Sequence, residues 1–111
     1  MSHYISGDVV LVPFPHENEV KKVRPAIVLG TKSNGDICLC PIRGNPRPGI
    51  LFIPISIDDF KEGGLDLFSE SYVQIDTVRK VKSGSIIAKK GSVTVEFMEL
   101  MRKSILFDIL D

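Results

Sequence analysis

The segment RPAIVLGTKSNGDICLCPI, residues 24–42, decides the fold class of this chain. An apolar run at residues 25–29 ends at Gly30, and a second apolar run at residues 37–42 follows a turn signal. That signal is Asn34-Gly35, a pair that suits hairpin turns because its residues tolerate positive φ. The segment therefore predicts two antiparallel strands joined by a tight turn.

Short apolar runs separated by Gly, Pro and polar residues continue on both sides of this hairpin. Pro54 lies inside one of them and favours an edge position or a bulge, because proline cannot donate to a strand ladder. Residues 43–49 (RGNPRPG) and the acidic residues 58–70 read as loops. The predicted strands are residues 8–14, 25–29, 37–42, 50–57, 71–81 and, as a last short one, 85–88.

The hydrophobic period changes to that of a helix from Val95 onward. Thr94 is a suitable N-cap, and Glu96 places a negative charge in the first turn, where the helix dipole favours it. The apolar stripe consists of Phe97, Met101, Ile105 and Ile109. This spacing predicts an amphipathic helix of about four turns. Short strands followed by one helix predict a mostly β (α+β) domain, a small barrel-like sheet with a C-terminal helix packed on it.

Length and composition limit the class of protein. With 111 residues, the chain is expected to form a single domain over residues 1–111. Its apolar runs are shorter than the ~20 residues that span a bilayer, and its first residues lack the pattern of a secretion signal. Cys38 and Cys40 are too awkwardly spaced for a disulfide and make at most half a zinc site. We therefore expect buried thiols, a cytoplasmic protein, no membrane association, no metal and no cofactor.

Charge is balanced overall but uneven along the chain. Fourteen basic and fourteen acidic residues give a net charge of zero, which is not typical of proteins that coat nucleic acid by bulk charge. Residues 58–70 carry a net charge of −4, so the rest of the chain carries +4. This leaves open a locally basic face with the acidic segment held elsewhere. The alternative is that the charges only solvate the surface.

One basic segment, Lys21-Lys22-Val23-Arg24-Pro25, combines charge with a fixed backbone. Pro25 biases Arg24 toward an extended conformation, so that this guanidinium projects from the start of a strand. Its fork of donors matches two phosphate oxygens. An ordinary ion pair between Arg24 and a carboxylate is the alternative.

Four motifs make the sequence similar to the MazF/PemK/Kid group of bacterial toxins, within the CcdB/PemK-like superfamily. They are GDVVLV (7–12), RPAIVL (24–29), CLCPI (38–42) and VQIDTVR (73–79), and the terminal helix agrees in place and length. The resemblance implies an SH3-like barrel with a C-terminal helix, acting as a homodimer. It also implies a metal-independent, sequence-specific endoribonuclease that cleaves single-stranded RNA and inhibits translation. The implied partner is an antitoxin whose flexible acidic tail covers the RNA groove.

The resemblance also implies roles for individual residues. Arg24 matches the arginine proposed to contact the scissile phosphate, and Asp76 matches an acidic position proposed as general base. Arg43 stands where the family usually has Thr, and Gln74 stands where some members have Arg. A second arginine beside a phosphate suits charge stabilisation, so Arg24, Asp76 and Arg43 are the expected catalytic residues. The expected RNA-binding residues are His16, Lys21, Lys22, Arg47 and Gln74.

Two further features of the sequence bear on RNA. His16 lies in a polar loop and could act as an acid near neutral pH. Recognition of single strands usually also uses stacking aromatics, and the candidates are Phe14, Phe52 and Tyr72, of which the first two also suit the core.

Two rival functions use the same fold. The departures at Arg43 and Gln74 keep open a non-catalytic member that binds RNA or a protein. A CcdB-like toxin directed at DNA gyrase would use the end of the terminal helix. The ending FDILD at 107–111, without Trp, argues against that second rival.

Overall fold

The computed structural model describes residues 3–14, 22–45, 48–64, 71–76 and 78–105. Two 3₁₀ turns, Ile57–Asp59 and Ser83–Ser85, lie among its strands and one helix. The strands are β1 (Asp8–Phe14), β2 (Lys22–Thr31), β3 (Ile37–Arg43), β4 (Phe52–Ile55), β5 (Phe60–Gly63), β6 (Ser71–Gln74), β7 (Arg79–Val81) and β8 (Ala88–Val93), and the helix is α1 (Val95–Ser104).

The strands form one antiparallel sheet that curls into a small SH3-like half-barrel with the helix at the C-terminal end of the chain. The order across the sheet is β4-β6-β3-β2-β1-β8-β5, and β7 pairs with the remaining part of β3. The predicted fold class is therefore confirmed. Pro54 lies in β4 at the edge of this order, as expected for a residue without a backbone donor.

The hairpin of β2 and β3 forms as predicted. Gly35 adopts φ +94°, and the Asn34 Oδ1 atom accepts a hydrogen bond from the backbone N–H of Asp36 at 2.9 Å. This Asx turn lets the chain reverse without a long loop. The pairing then runs from Thr31 opposite Ile37 to Ala26 opposite Pro41.

The central strands are buried on both faces, which explains their nearly continuous apolar sequence. In β3 six consecutive residues are buried. One cluster of side chains packs beneath α1 and contains Ile27, Cys40, Val73 and Phe97. The other lies on the opposite face of the central strands, and its members include Val12, Ala26 and Leu39. The central strands β1, β2 and β3 therefore give the site described below a rigid base.

Helix α1 begins where predicted and is shorter than predicted. The Thr94 hydroxyl accepts a hydrogen bond from the N–H of Phe97 at 3.1 Å, as an N-cap should. The helix ends at Ser104, because Ile105 turns to extended backbone angles, with φ −84° and ψ 134°, while still burying its side chain. Four turns are therefore not formed, and Ile109 lies outside the described residues. Within those residues, no helix is long and apolar enough to cross a membrane.

Two predicted strands have different bounds in the structure: residues 25–29 belong to the longer β2, and residues 50–57 contain the shorter β4, with Ile57 in a 3₁₀ turn. Three further strand predictions need correction. The predicted acidic loop contains β5, which pairs with β8 because Gly63 and Gly91 allow the two backbones to approach closely. Residues 71–81 form two strands, β6 and β7, instead of one. The last strand begins at Ala88, because residues 83–85 form a 3₁₀ turn.

Both cysteines are free and buried, as predicted. Cys40 is fully enclosed beneath the sheet. Burial, followed by the nearby charges of Asp76 and Cys38, raises the pKa of the Cys40 thiol from the ordinary value of 9.0 to about 12. This thiol is therefore a small core side chain and not a nucleophile near neutral pH.

Candidate active site

The site is built on one row of residues that crosses the sheet. Ala26 lies opposite Pro41 in the pairing of β2 with β3, so continuing this register by two residues places Arg24 opposite Arg43. Arg43 in turn lies opposite Tyr72 of β6. Residues directly opposite in antiparallel strands point to the same face. The register therefore brings both arginines and a tyrosine onto one surface.

The two arginines flank a small cleft. It has a volume of about 220 Å³ and is lined by Arg24, Arg43, Gly44 and Asn45. Both arginines are partly buried. Two cations beside one cleft make a site for an anion, and their planar forks match phosphate or carboxylate oxygens.

Gln74 connects this cleft to a carboxylate. The Nε atom of Arg43 donates a hydrogen bond to Gln74 Oε1 at 2.7 Å, and Gln74 Nε2 donates one to Asp76 Oδ1 at 2.8 Å. Arg43 can only donate and a carboxylate can only accept, so this orientation of the amide satisfies both neighbours. With 8% of its surface exposed, Gln74 positions its neighbours and offers little surface to a ligand.

Asp76 owes its position to a break between β6 and β7. Ile42 pairs with Val73, and Leu39 pairs with Arg79. Between these pairs β3 contributes two residues, 40–41, and the opposite segment contributes five, 74–78. The opposite segment is therefore too long to stay paired with β3 throughout, as in a bulge, and bulges often re-aim side chains next to active sites. Asp76 is accordingly exposed to solvent.

A larger groove elsewhere is a weaker candidate, because charged residues that line it already have partners within the protein. It has a volume of about 430 Å³ and is lined in part by Asp8, Lys89 and Arg102. Asp8 is buried, forms an ion pair with Lys89 at 3.3 Å and accepts a hydrogen bond from the Ile5 N–H at 3.0 Å. These charges already serve the fold, which gives the Gly7-Asp8 motif a structural role. The smaller cleft is therefore the better candidate site.

The structure brings four of the predicted site residues together. Arg24 and Arg43 share the cleft, and Gln74 and Asp76 extend it. Of Lys22, the structure describes the backbone alone, paired opposite Phe14. Among the expected stacking aromatics, Phe14 is buried in the core, whereas Phe52 and Tyr72 are partly exposed. The other predicted RNA-binding residues, His16, Lys21 and Arg47, lie outside the described residues.

Two residues of the cleft were not predicted from the sequence. Gly44 and Asn45 follow Arg43 directly and line the cleft beside the arginines. The signal was present in the loop RGNPRPG at residues 43–49, where a small residue and an amide follow a cation.

Comparisons of the sequence and the fold with known proteins identify the family of this chain. The sequence matches the family model of PemK-like, MazF-like toxins of type II toxin–antitoxin systems over residues 5–106. No curated protein matches it. Among solved structures, the fold is similar to an endoribonuclease in complex with its cognate antitoxin from a mycobacterial species, with a TM-score of 0.64 and 14% identity. That alignment covers 99% of this chain and 95% of the other. Because the family model spans most of the sequence, this chain belongs to the PemK-like, MazF-like toxins of type II toxin–antitoxin systems.

Proposed function

We propose that this toxin is an endoribonuclease that cleaves single-stranded RNA at short sequences and thereby inhibits translation. The observation that carries the proposal is the cleft between Arg24 and Arg43, joined through Gln74 to the carboxylate of Asp76. Family membership and the endoribonuclease among the structural neighbours support it.

The reaction is an attack by the RNA on its own backbone. Asp76 takes the proton of a ribose 2′-hydroxyl, and the 2′-oxygen then forms a bond to the adjacent phosphorus. The bond from phosphorus to the 5′-oxygen breaks, and that oxygen takes a proton from a general acid. The products are a 2′,3′-cyclic phosphate and a 5′-hydroxyl. General acid–base help of this kind contributes roughly 10²–10⁴-fold in rate.

The arginines would bind the reacting phosphate. Negative charge grows on its non-bridging oxygens as the new bond forms, and fixed cations stabilise such charge without reorganising. Arg43 is held by Gln74 through its Nε atom. This charge stabilisation by side chains is why we propose a reaction that needs no metal. His16 remains our candidate for the acid, with Lys21, Lys22 and Arg47 as contacts to the RNA backbone.

The proposed partners follow from the same cleft. An anion site built from two arginines accepts carboxylates as well as phosphates. An acidic antitoxin tail that fills the cleft would therefore compete with RNA directly. We also propose that the toxin is a cytoplasmic homodimer, which light scattering of the purified protein would test by its mass in solution.

The decisive experiment incubates purified protein with a long single-stranded RNA in excess EDTA and maps the fragment ends. We expect cuts at a recurring short sequence with 2′,3′-cyclic phosphate and 5′-hydroxyl ends. Intact RNA in the presence of folded protein would contradict the enzymatic function. That result would favour a non-catalytic binding protein, or a toxin directed at gyrase.

Replacing Arg24 tests the assignment of the cleft. We expect Arg24→Ala to lower the cleavage rate about 10²–10³-fold, the usual effect of removing one preorganised group that stabilises charge. The matched control is Arg102→Ala, which removes an exposed arginine of α1 that donates a hydrogen bond to Ser6. The control should cleave like the wild type, and circular dichroism should show both variants folded. Cleavage retained by Arg24→Ala would remove Arg24 from the site.

A further inference from the structure

We propose that Tyr72, together with Pro54 and Phe52, forms a stacking platform for an unpaired nucleobase beside the phosphate cleft. This inference rests on the proposed ribonuclease function and adds a base-binding subsite to it. The platform would hold the base of a nucleotide that flanks the scissile phosphate.

The register of the strands places the platform next to the cleft. Tyr72 lies opposite Arg43 on one side and opposite Pro54 on the other. Neighbouring strands lie about 4.8 Å apart, so Tyr72 is one strand from Arg43 and two strands from Arg24. A single nucleotide can span this distance with its phosphate between the arginines and its base over the tyrosine.

The aromatic side chains are mutually supported and not fully buried. The rings of Tyr72 and Phe52 are perpendicular, at 87°, with centroids 4.9 Å apart. Both rings are partly exposed and Pro54 is exposed. A tyrosine ring beside an edge-to-face neighbour loses little conformational freedom when a ligand binds, because it has only two side-chain torsions.

A nucleobase is the ligand that this combination fits. Every base has a π face that can stack on an aromatic ring, and proteins that bind single strands pair such rings with a groove that attracts the backbone. Here the ring and the cationic cleft are neighbours in one row of the sheet. Because stacking tolerates any base, we expect Tyr72 to contribute to the affinity for RNA and to the position of the RNA strand. We expect it to contribute less to the choice between bases.

The test uses a single-stranded oligonucleotide that carries the mapped cut sequence. A 2′-deoxy nucleotide at the cut site removes the attacking hydroxyl, and 2-aminopurine replaces the base on either side of the scissile phosphate in two separate probes. We expect one probe to lose fluorescence on binding to the wild type and to Tyr72→Phe. With Tyr72→Leu, we expect this quenching to disappear and Kd to rise about 10-fold, within the range for loss of one stacked base.

The matched control is the same substitution at the other tyrosine. Tyr4 packs against the cluster of Val12 and Leu39 and lies outside the row, so Tyr4→Leu should bind and quench like the wild type. Should Tyr72→Leu fail to fold, Pro54→Ser serves instead, because it removes an exposed ring from an edge strand. We expect that variant to weaken binding about 3-fold and to reduce the quenching.

The outcomes separate the platform from the proposed function. Unchanged quenching and Kd in Tyr72→Leu, with cleavage by the wild type intact, would overturn the platform and leave the ribonuclease standing. A wild type that neither cuts nor binds RNA would overturn both.

Discussion

The side chain of Gln74 links the two charged groups of the site, with its carbonyl toward Arg43 and its amino group toward Asp76. Gln74→Met removes both hydrogen bonds, and Gln74→Glu keeps an acceptor for Arg43 but cannot donate to Asp76. We expect both variants to lower kcat about 10- to 100-fold, since small misplacements of catalytic groups have effects of this size.

Affinity separates this positioning role from direct RNA contact. The Kd for an uncleavable oligonucleotide should change far less than kcat in both variants of Gln74. If Kd rises as much as kcat falls, Gln74 contacts RNA as the resemblance first suggested. Full activity in Gln74→Glu would show that only its link to Arg43 matters.

The buried thiol of Cys40 predicts a loss of stability in alkali. Its pKa is raised to about 12, while the thiol of the unfolded chain ionises near 9.0. Between these values the folded state binds more protons than the unfolded state, so the free energy of unfolding falls as pH rises through this window. The slope contributed is up to about 1.4 kcal/mol per pH unit.

Urea unfolding of wild type and Cys40→Ala at neutral pH and near pH 10 would measure this effect. The variant should lose less stability between the two conditions, whatever its stability at neutral pH. Equal losses would show that Cys40 does not keep its proton in the folded protein.

Among the elements, β5 and the β2–β3 hairpin contain glycines that are matched in backbone conformation and differ in surroundings. Gly35 and Gly63 adopt φ of +94° and +76°. A Cβ atom at Gly35 would meet nothing within 4 Å, whereas one at Gly63 would lie 2.3 Å from the backbone oxygen of Lys90. We expect Gly35→Ala to lower the free energy of unfolding by about 1–2 kcal/mol, from strain in the left-handed region alone.

Gly63→Ala adds a steric clash to the same strain, so its loss should reach about 3 kcal/mol or more. Urea denaturation of both variants would give the comparison. Equal losses would mean that the contact between β5 and β8 yields easily. The predicted acidic loop would then be a better description of that segment than a fixed strand.

For the whole molecule, zero net charge and a local cationic cleft together predict that the affinity for RNA depends only modestly on salt concentration. The acidic residues of the 3₁₀ turn and β5 lie at one edge of the sheet order, and β8 and β1 separate them from the arginines of β2 and β3. RNA would therefore meet a short basic site and not a basic surface. If the arginines share the scissile phosphate and Lys21, Lys22 and Arg47 each contact one more, RNA binding neutralises about four phosphates. The logarithm of the binding constant should then fall with the logarithm of salt concentration at a slope of about −2.8.

Fluorescence anisotropy of the uncleavable oligonucleotide over a series of salt concentrations would measure this slope. Arg47→Ala should make it shallower by about 0.7, the share of one phosphate contact. A slope steeper than about −4 in the wild type would mean that RNA follows a much larger basic surface than this cleft.

Local chemistry made much of the fold predictable from sequence. Asn34-Gly35 specifies the hairpin because few pairs accept its backbone conformation. The continuous apolar run of β3 indicated burial on both faces, and Thr94 marked the start of the helix. Each of these features depends on residues close together in the chain. The end of the helix was not readable in this way, because Ile105 is buried among distant side chains and its backbone follows that packing.

The sequence by itself determined the mostly β class, the strand that presents Arg24 and the presence of Arg43, Gln74 and Asp76 as candidates. Only the tertiary structure decided that these four residues meet, because their contacts join positions up to 31 residues apart. It also decided that Asp76 leaves the ladder, since a bulge exists only relative to a partner strand. Strand register determines which residues of distant segments lie opposite each other, and register is set by packing across the whole sheet.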